Sequence, residues 1–411
     1  MPRSPSSPAF WRSPLRGPRF TSVLGVVLLV GITVLFVTGL LSYAAYNPDL
    51  SPVNDKTPDK GLLGFYLFSW PTDPSWLYRL TQGTHVTLGI TLIPVLLAKL
   101  WSVVPKLFAL PPARSVAHAL ERLSLLLLVG GGLFEFTTGV LNVQLDYIFP
   151  GSFYPLHFYG AWVFFAAFLA HAVLKTPVAL HNLRHLRDEH AAEDGELVSP
   201  DPAEPTVSRR GALGVVGGGS LLLLGTTAGR SFDGPLRETA VLAPHGGPEP
   251  GGGPGGFQIN KTAAYAGISL METGEEAWRL VVTGRDGRSV RLARPQLLRL
   301  ALHSSALPIA CVEGWSTSDQ WWRGVRLRDL AALVGHDDPV DVLVESLQRH
   351  GAFRRAALRA NQVADPRSLL ALFVNGEDLT PDHGYPARVI VPAAPGVLNT
   401  KWVARMTFGD L

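Results

Sequence analysis

The sequence predicts a membrane α-helical bundle with five spans, followed by a soluble α+β domain. Of the 411 residues, 47% are apolar and 17% are charged, and soluble domains are usually more polar than this. Nearly all the long apolar runs lie before residue 230, whereas residues 257–411 have the composition of a water-soluble domain. The net charge is only +3, and acids are interspersed among the arginines, which argues against a nucleic-acid-binding surface.

Five segments are close to or above the ~20 mostly apolar residues that a bilayer requires. The first four predict a four-helix membrane domain over residues 20–180, and the fifth predicts a separate span at residues 211–229. The first span is longer than the roughly 7–15 apolar residues of a signal-peptide core, so we expect it to be an anchor. The segments are Phe20–Tyr46, Trp76–Val104, Val116–Leu145, Leu156–Thr176 and Gly211–Gly229.

Basic residues predict how these spans are oriented. Arginines are frequent in the tail at residues 1–19, and lysines and arginines also lie between the second and third spans and after the fourth. The segment Asn47–Ser75 has few basic residues, and Asp146–Pro155 has none. The positive-inside rule therefore places the N-terminus in the cytoplasm. We expect a multi-pass protein of a bacterial plasma membrane, with its C-terminal domain on the outer face.

Two polar segments separate the predicted parts of the chain. Residues 181–210 are a predicted cytoplasmic linker that ends near Ser208-Arg209-Arg210-Gly211-Ala212-Leu213. This motif resembles a twin-arginine signal, which implies export by the twin-arginine translocation machinery. Two ordinary positive-inside arginines are the alternative. Residues 230–256 are rich in glycine and proline towards their end and are a predicted flexible tether.

Four histidines within the predicted spans are candidates for function, because ionisable residues are costly inside a membrane. Two of them are 14 residues apart, so they share one helix face at a separation of ~21 Å. Two of the four histidines lie at the outer ends of their spans and two at the inner ends. Each set would form a bis-histidine pair able to hold the iron of one b-type haem. A hydrogen-bonded core or interfacial histidine is the alternative for each. The outer pair is His85 and His157, and the inner pair is His118 and His171.

The helix that carries two of these histidines also has a family resemblance. His157-Phe158-Tyr159-Gly160-Ala161, together with His171, resembles the corresponding helix of di-haem cytochrome b membrane proteins. The resemblance implies two haem b groups and exchange of electrons with a membrane quinone or quinol.

Cys311 is the only cysteine in the chain, so an intramolecular disulfide is excluded. A free cysteine is most often a small buried apolar residue. However, Cys311-Val312-Glu313-Gly314-Trp315-Ser316 and Trp322-Arg323-Gly324-Val325-Arg326-Leu327, followed by Asp329-Leu330, resemble the molybdopterin-binding domain of the sulfite oxidase family. The resemblance implies a sulfite oxidase fold, in which Cys311 is catalytic and ligates molybdenum through a soft thiolate.

The end of the chain extends this resemblance. Residues 382–392 and Thr400-Lys401-Trp402-Val403 look like the closing motifs of the family, which implies that His383, Arg388 and Lys401 contact the pterin and its phosphate. Arginine and lysine both suit a phosphate dianion. For Arg388 alone, a surface ion pair is the alternative.

Two further candidates for the cofactor site rest on weaker patterns. Asn260-Lys261-Thr262 resembles an early cofactor-contacting stretch of related proteins, and a plain loop is the alternative. His303 lies eight residues before Cys311 and either lines the metal pocket or caps a helix.

Short apolar runs broken by Gly, Pro and Asp predict the elements of the domain at residues 257–411. They do not alternate in a regular βαβ order, so a mixed α+β domain is expected. The predicted helices are Pro295–Leu302, Leu327–Val334 and Pro366–Leu370. The predicted strands are Trp278–Val282, Ser289–Leu292, Val340–Val344, Ala371–Val374 and Arg388–Val391.

The two resemblances together imply a membrane-bound molybdoenzyme that performs oxygen-atom transfer. The sulfite oxidases of the family have a polar, basic stretch after the metal-binding cysteine. Residues 312–316 are closer to a bacterial branch that includes methionine-sulfoxide reductase subunits, so we expect reduction of an S-oxide or N-oxide by quinol-derived electrons. A sulfite dehydrogenase that feeds the quinone pool is one alternative. A transmembrane electron carrier with a metal-free outer domain is the other.

Overall fold

The fold is described from a computed structural model. Parts of both predicted polar segments, residues 185–198 and 244–252, lie outside the described residues. The chain divides into two compact units. The first contains Met1–Val37, His85–Ile148 and Leu156–Thr226, and the second contains Thr38–Thr84, Phe149–Pro155 and Thr227–Leu411. The described residues are 4–46, 67–108, 110, 115–143, 153–184, 199, 201–232, 235–243, 253–349 and 351–411.

Long apolar helices dominate the part of the chain before residue 228. Among the described residues, four helical segments are long and apolar enough to cross a membrane, and a bent pair of helices raises the number to five if it is counted as one span. These helices are compatible with a membrane protein. They are α1 (Pro18–Tyr46), α2 (Leu77–Thr91), α3 (Ile93–Leu107), α4 (Val116–Val143), α5 (Phe153–Arg184) and α6 (Arg209–Thr227).

The predicted span Trp76–Val104 is not one straight helix. It consists of α2 and α3, which meet at Leu92 with a bend of 42°. Pro94 lies in the first turn of α3, where its missing N–H is tolerated but where it cannot continue the hydrogen bonds of the preceding helix. The predicted span is therefore broken at this point, and it remains one span if the bent pair is counted together.

The apolar helices bury only a small share of their surface in the chain itself. In α6, 6% of the most apolar window is buried, and in α5 the figure is 11%. Exposed apolar surface of this extent is unfavourable in water, so the pattern fits a lipid environment. Eight buried side chains form the core of the first unit: Phe20, Leu24, Leu28, Ile32, Val95, Leu96, Phe164 and Phe168.

The C-terminal part of the second unit contains two five-stranded sheets. One has the strand order β2-β1-β10-β5-β6, and the other has the order β3-β4-β7-β8 with β9 also paired to β7. All the pairs are antiparallel except β1 with β10. The strands are β1 (Leu280–Thr283), β2 (Ser289–Leu292), β3 (His303–Leu307), β4 (Gln320–Arg326), β5 (Val342–Ser346), β6 (Arg355–Leu358), β7 (Leu369–Val374), β8 (Glu377–Asp378), β9 (Arg388–Ile390) and β10 (Val403–Phe408).

Short helices precede or connect these strands, so the domain is a mixed α+β domain as predicted. The predicted helix Pro366–Leu370 is wrong, because Leu369–Val374 is the buried strand β7. A short apolar run of this kind suits a central strand as well as a helix, and burial on both faces decides between them. The helices are α7 (Pro235–Glu238), α8 (Ala263–Ala266), α9 (Leu270–Thr273), α10 (Arg294–Leu297), α11 (Leu327–Ala332) and α12 (Ala360–Ala364).

The fold brings the predicted cofactor motifs to one region of the domain. Cys311 lies in the connection between β3 and β4, and Arg388 is the first residue of β9. His383 ends the 3-10 turn Pro381–His383, and Lys401 lies two residues before β10. Cys311 is distant in sequence from the other three, and the four meet because the strands they flank belong to the two sheets of one domain.

Candidate functional site

The loop that carries Cys311 is a tight turn. The backbone N–H of Cys311 donates to the carbonyl of Trp315 at 2.8 Å, and that of Gly314 donates to the carbonyl of Cys311 at 3.1 Å. Gly314 has a φ of 88°, a left-handed conformation that residues with a Cβ rarely adopt. The turn therefore depends on glycine at this position.

The thiol of Cys311 is buried, with the residue only 2% exposed. Burial raises its pKa well above 9.0, and the nearby charge of Glu313 raises the pKa further. The thiol is therefore protonated at neutral pH in the absence of a cation. A metal ion bound at this sulfur supplies the positive charge that stabilises the thiolate, and it displaces the proton.

A pocket collects most of the residues predicted to bind the cofactor. It is lined by Cys311 and by five further predicted residues: Asn260, Lys261, His383, Arg388 and Lys401. The side-chain amide of Asn260 donates to the sulfur of Cys311 across 3.9 Å. Sequence analysis did not single out four other polar residues that line the pocket: Gln258, Gln348, Asn399 and Thr400.

Three basic residues line this pocket: Arg388 is buried, and Lys261 and Lys401 are partly buried. The guanidinium of Arg388 donates to the carbonyls of His383 and Asn399 at 3.1 and 3.2 Å, and its central carbon lies 5.2 Å from the ring centre of Trp322. Burial lowers the pKa of Arg388 to about 9, so the group stays charged at neutral pH. Burial, and then the charges of Arg388 and Lys261, lower the pKa of Lys401 well below 10.5. An anionic ligand would stabilise the charged forms of both Arg388 and Lys401.

His383 is held as a neutral imidazole. Its ring stacks on Phe257 with 3.8 Å between the ring centres, and its Nε2 lies 2.8 Å from the carbonyl of Gly255. The pKa of His383 is lowered to about 4, chiefly by burial and also by the charges of Arg388 and Lys401, although the bond to Gly255 opposes this shift. The neutral ring donates Nε2–H to Gly255 and keeps a lone pair on Nδ1.

The donor set of this pocket fits a molybdopterin. Buried polar atoms without a partner are rare in proteins, yet three side-chain atoms of lining residues have none among the described residues: Arg388 Nε, Asn399 Nδ2 and Thr400 Oγ1. Together with three basic side chains and one thiol, they suit an anionic ligand that is rich in hydrogen-bonding groups and carries a soft metal. The enclosed volume is about 50 Å³. The fit to a molybdopterin therefore rests on the donor groups of the lining residues and not on the size of the cavity.

Two predicted residues have other contacts. The hydroxyl of Thr262 accepts a hydrogen bond from the backbone N–H of Tyr265 at 3.2 Å and caps α8. His303 lies on β3, with its Nε2 3.6 Å from Asp329 Oδ2. Neither is among the described residues that line the pocket.

The Cys311 loop is also supported by residues far from it in sequence. Ser231 donates its hydroxyl to the carbonyl of Gly314 at 2.7 Å, and Arg237 donates to the carbonyl of Ser316 at 2.5 Å. The side chain of Gln82, on α2, donates to the carbonyl of Val312. All these residues belong to the second unit, and no local pattern in the sequence indicates that they meet.

Comparison with known proteins identifies the domain that forms the pocket. Residues 267–410 match the family described as Oxidoreductase molybdopterin binding domain. They are a molybdopterin-binding domain of the sulfite oxidase family. For residues 267–410, the match confirms the prediction of a molybdenum-dependent oxidoreductase domain.

The similarity to individual proteins is confined to the molybdopterin domain. The chain is 31% identical over 156 residues to mitochondrial sulfite oxidase of Mus musculus, covering 32% of this chain and 29% of that protein. It is 30% identical over 131 residues to the uncharacterized oxidoreductase YuiH of Bacillus subtilis (strain 168), covering 32% of this chain and 65% of that protein. The chain thus spans less than two thirds of either relative.

A solved structure gives a weaker match. The sulfane dehydrogenase SoxCD from Paracoccus pantotrophus is 24% identical and aligns with a TM-score of 0.31, covering 35% of this chain and 40% of that chain. This score is too low for a further comparison of the two folds.

In the first unit, the predicted outer histidine pair is in contact. The ring centres of His85 and His157 are 6.4 Å apart, and the rings are nearly perpendicular at 85°. His85 Nδ1 lies 3.0 Å from the carbonyl of Leu35. Two imidazoles that bind one metal ion at about 2 Å each place their ring centres on the order of 6 Å apart. The separation of the two rings is therefore compatible with two histidine ligands of one iron ion.

The predicted inner pair consists of two half-buried histidines. His118 is on α4 and His171 is on α5. Their joint binding of a second haem stays a prediction.

Sequence analysis missed one acidic residue next to the outer pair. Glu135 on α4 lies 3.0 Å from His157 Nδ1 and is 7% exposed. A single carboxylate inside a long apolar run was a signal that could have identified it.

Proposed function

We propose that the chain is a membrane-bound, molybdopterin-dependent oxidoreductase that performs oxygen-atom transfer and holds b-type haem among its helices. One observation carries this proposal: Cys311, Arg388 and Lys401 line one buried pocket of a domain in the sulfite oxidase family. The contact between His85 and His157 supports the haem part independently.

The residues of the pocket have separate roles in this proposal. When bound, the molybdenum cofactor supplies oxygen-atom transfer and the associated redox chemistry. Cys311 holds the metal through its sulfur, and Asn260 orients that sulfur through its amide N–H groups. Arg388 and Lys401 bind the phosphate of the pterin, while the neutral ring of His383 packs beside it.

The helices provide the redox partner of the molybdopterin domain. A haem bound by His85 and His157 supplies one-electron transfer in exchange with a membrane quinone or quinol. A second haem bound by His118 and His171 extends the same role towards the other membrane surface. The proposed domains are those predicted from sequence, with the molybdopterin region at residues 257–411.

An S-oxide or N-oxide is the substrate that the charge pattern of residues 312–316 favours. Residues 312–316 add one carboxylate, Glu313, and no cation. Glu313 accepts a hydrogen bond from Trp315 Nε1 at 2.9 Å, which keeps its charge beside the loop. A carboxylate here repels a doubly charged anion such as sulfite and tolerates a neutral oxide.

Sulfite oxidation is the second candidate, with electrons passing in the opposite direction. Several relatives are named sulfite oxidase. In addition, Arg230 is fully buried, its carbonyl accepts from the N–H of Ser316, and its Nε and Nη2 have no partner among the described residues. A cation behind the loop would offset the charge of Glu313 and allow an anion to bind.

An assay of the purified full-length protein separates the two candidates. We expect reduction of methionine sulfoxide by a reduced dye and no oxidation of sulfite, and we expect the Cys311→Ser variant to lose both molybdenum and activity. Oxidation of sulfite alone would reverse the preferred direction. Wild-type protein without molybdenum would instead support an electron carrier with a metal-free outer domain.

Export by the twin-arginine machinery completes the proposal. It places the N-terminus in the cytoplasm and the molybdopterin domain outside a bacterial plasma membrane. Replacing Arg209 and Arg210 by lysine keeps the positive charge and removes the motif, so protease protection of residues 257–411 in intact spheroplasts tests it. Unchanged accessibility of this region in the double variant would exclude the twin-arginine route.

A further inference from the structure

The imidazole of His157 faces two acceptors on α4. Its Nδ1 lies 3.0 Å from Glu135 Oε2 and 3.0 Å from Thr138 Oγ1. The hydroxyl of Thr138 donates to the carbonyl of Phe134 at 2.8 Å, so its oxygen accepts from the histidine. Nδ1 therefore carries the proton, and the lone pair of the ring is on Nε2.

The packing of α4 against α5 makes room for the carboxyl group of Glu135. A Cβ at Gly160, on α5, would collide with Glu135 Oε1 and would lie 3.0 Å from the ring of Phe134. The same two helices approach closely at Gly131, where a Cβ would lie 3.0 Å from the side chain of Phe164. Small residues at such contacts allow helices to pack tightly in membranes.

A carboxyl group in this position needs a reason, because burying a charge among apolar helices is unfavourable. Glu135 is 7% exposed, and Oε1 has no hydrogen-bond partner among the described residues. Its other oxygen reaches His157. An iron ion bound to this histidine would provide the positive charge that the carboxylate lacks.

We propose that Glu135 is a positioning residue for the haem ligand His157. The carboxylate accepts the Nδ1–H bond, fixes the orientation of the ring with Nε2 as the ligating atom, and lowers the midpoint potential of the haem. A carboxylate bonded to a metal-binding histidine increases the basicity of the ligand and favours the more oxidised metal. His85, the other proposed ligand, contacts a neutral carbonyl, that of Leu35. This inference rests on the proposed haem.

The test compares two single variants of the full-length protein in detergent. Glu135→Gln removes the charge and keeps the shape and an acceptor oxygen. Thr138→Val removes the neutral acceptor and keeps the charge, and it is the matched control. Haem content, the reduced-minus-oxidised spectrum and the midpoint potential are measured at one fixed pH.

We expect Glu135→Gln to retain haem and to be reduced more easily. At a fixed ambient potential, the ratio of ferrous to ferric haem should rise at least tenfold, which corresponds to 59 mV for one electron. Thr138→Val should change the ratio by less than half as much on a logarithmic scale. An unchanged potential in Glu135→Gln overturns the inference while the haem proposal stands.

Two other outcomes are also decisive. If Glu135→Gln loses its haem, Glu135→Asp decides: haem retained by Asp supports a role for the charge, whereas haem lost from both variants shows that a carboxylate at this place is not sufficient and overturns the inference. If the wild-type protein contains no haem, the proposed function itself fails, and this result is distinct from a failure of the Glu135 inference.

Discussion

Lys401 Nζ donates to the backbone carbonyl of Lys261 at 2.8 Å, so residues 140 positions apart are joined in one site. A second bond of the same length runs from Lys401 Nζ to the carbonyl of Asp382. The ammonium therefore connects three segments that contribute to the pocket, near residues 261, 382 and 401. Both acceptors are neutral carbonyls, which leave the positive charge of Lys401 available for an anion.

Replacing Lys401 by methionine should separate cofactor binding from folding. Methionine has a similar length and suits a buried site, so we expect stability to change by no more than about 2 kcal/mol. The phosphate of the pterin would lose a cation, and we expect pterin and molybdenum contents to fall at least tenfold. Both contents are measured in purified protein, with thermal unfolding of the cofactor-free protein as the reference. Unchanged pterin content would remove Lys401 from the phosphate site.

The pH dependence of stability should include a contribution from His383. In the folded protein its pKa is about 4, chiefly because of burial, whereas an exposed histidine titrates near ~6.5. Between these values the unfolded chain binds a proton that the folded domain does not. The free energy of unfolding therefore falls as the pH is lowered from about 6.5 to about 4, by at most roughly 3 kcal/mol, and levels off below that for this group.

Unfolding midpoints at several pH values test this expectation in wild type and in the His383→Gln variant. Glutamine keeps a donor for the carbonyl of Gly255 but does not titrate. The wild-type midpoint should fall more steeply than that of the variant over this window. Parallel curves would show that His383 is not held as a neutral ring.

Local patterns in the sequence predicted those parts of the site that lie in distinctive motifs. Six of the predicted cofactor residues, including Asn260 and Cys311, line one pocket. Thr262 and His303 do not: the hydroxyl of Thr262 accepts from the N–H of Tyr265, and His303 Nε2 lies 3.6 Å from the carboxylate of Asp329. A residue type alone cannot distinguish a ligand from a cap or an ion pair.

Other features depend on contacts between distant segments, which one sequence does not reveal. The predicted strand Ser289–Leu292 coincides with β2, because its turn residues and apolar pattern are local. The strand Val403–Phe408 was not predicted, although it pairs with both β1 and β5. Nor could the bond between Gln82 and Val312 be foreseen, since it joins residues 230 positions apart.

Trp70 should contribute strongly to the stability of the second unit. It is 4% exposed, donates its indole N–H to the carbonyl of Ala393 at 2.7 Å, and contacts the ring of Tyr78. We expect Trp70→Ala to destabilise the unit by about 3–5 kcal/mol, because it leaves a cavity and an unpaired carbonyl. Trp76 is 51% exposed, and Trp76→Ala should cost no more than about 0.5 kcal/mol.

Thermal unfolding of the two tryptophan variants tests whether the segment that carries Trp70 packs firmly within the second unit. Each variant replaces one tryptophan within residues 67–84 by alanine. The difference between their stabilities therefore reports the buried contacts of Trp70 and not the loss of a tryptophan as such. Equal and small effects would show that Trp70 does not pack in the second unit.

Gly314 should be required for the metal site rather than only for folding. Its φ of 88° makes alanine unfavourable by about 1–2 kcal/mol, and this strain falls on the turn that positions Cys311. Gly287 provides a matched control, since it has a φ of 79° and a Cβ added to it would meet no atom within 4 Å among the described residues. We expect Gly314→Ala and Gly287→Ala to lower stability by similar amounts, but only Gly314→Ala should lower the molybdenum content several-fold. Metal analysis at equal protein concentration measures the difference. Equal metal contents would mean that the strain is absorbed elsewhere in the loop and that the position of the Cys311 sulfur does not depend on this turn.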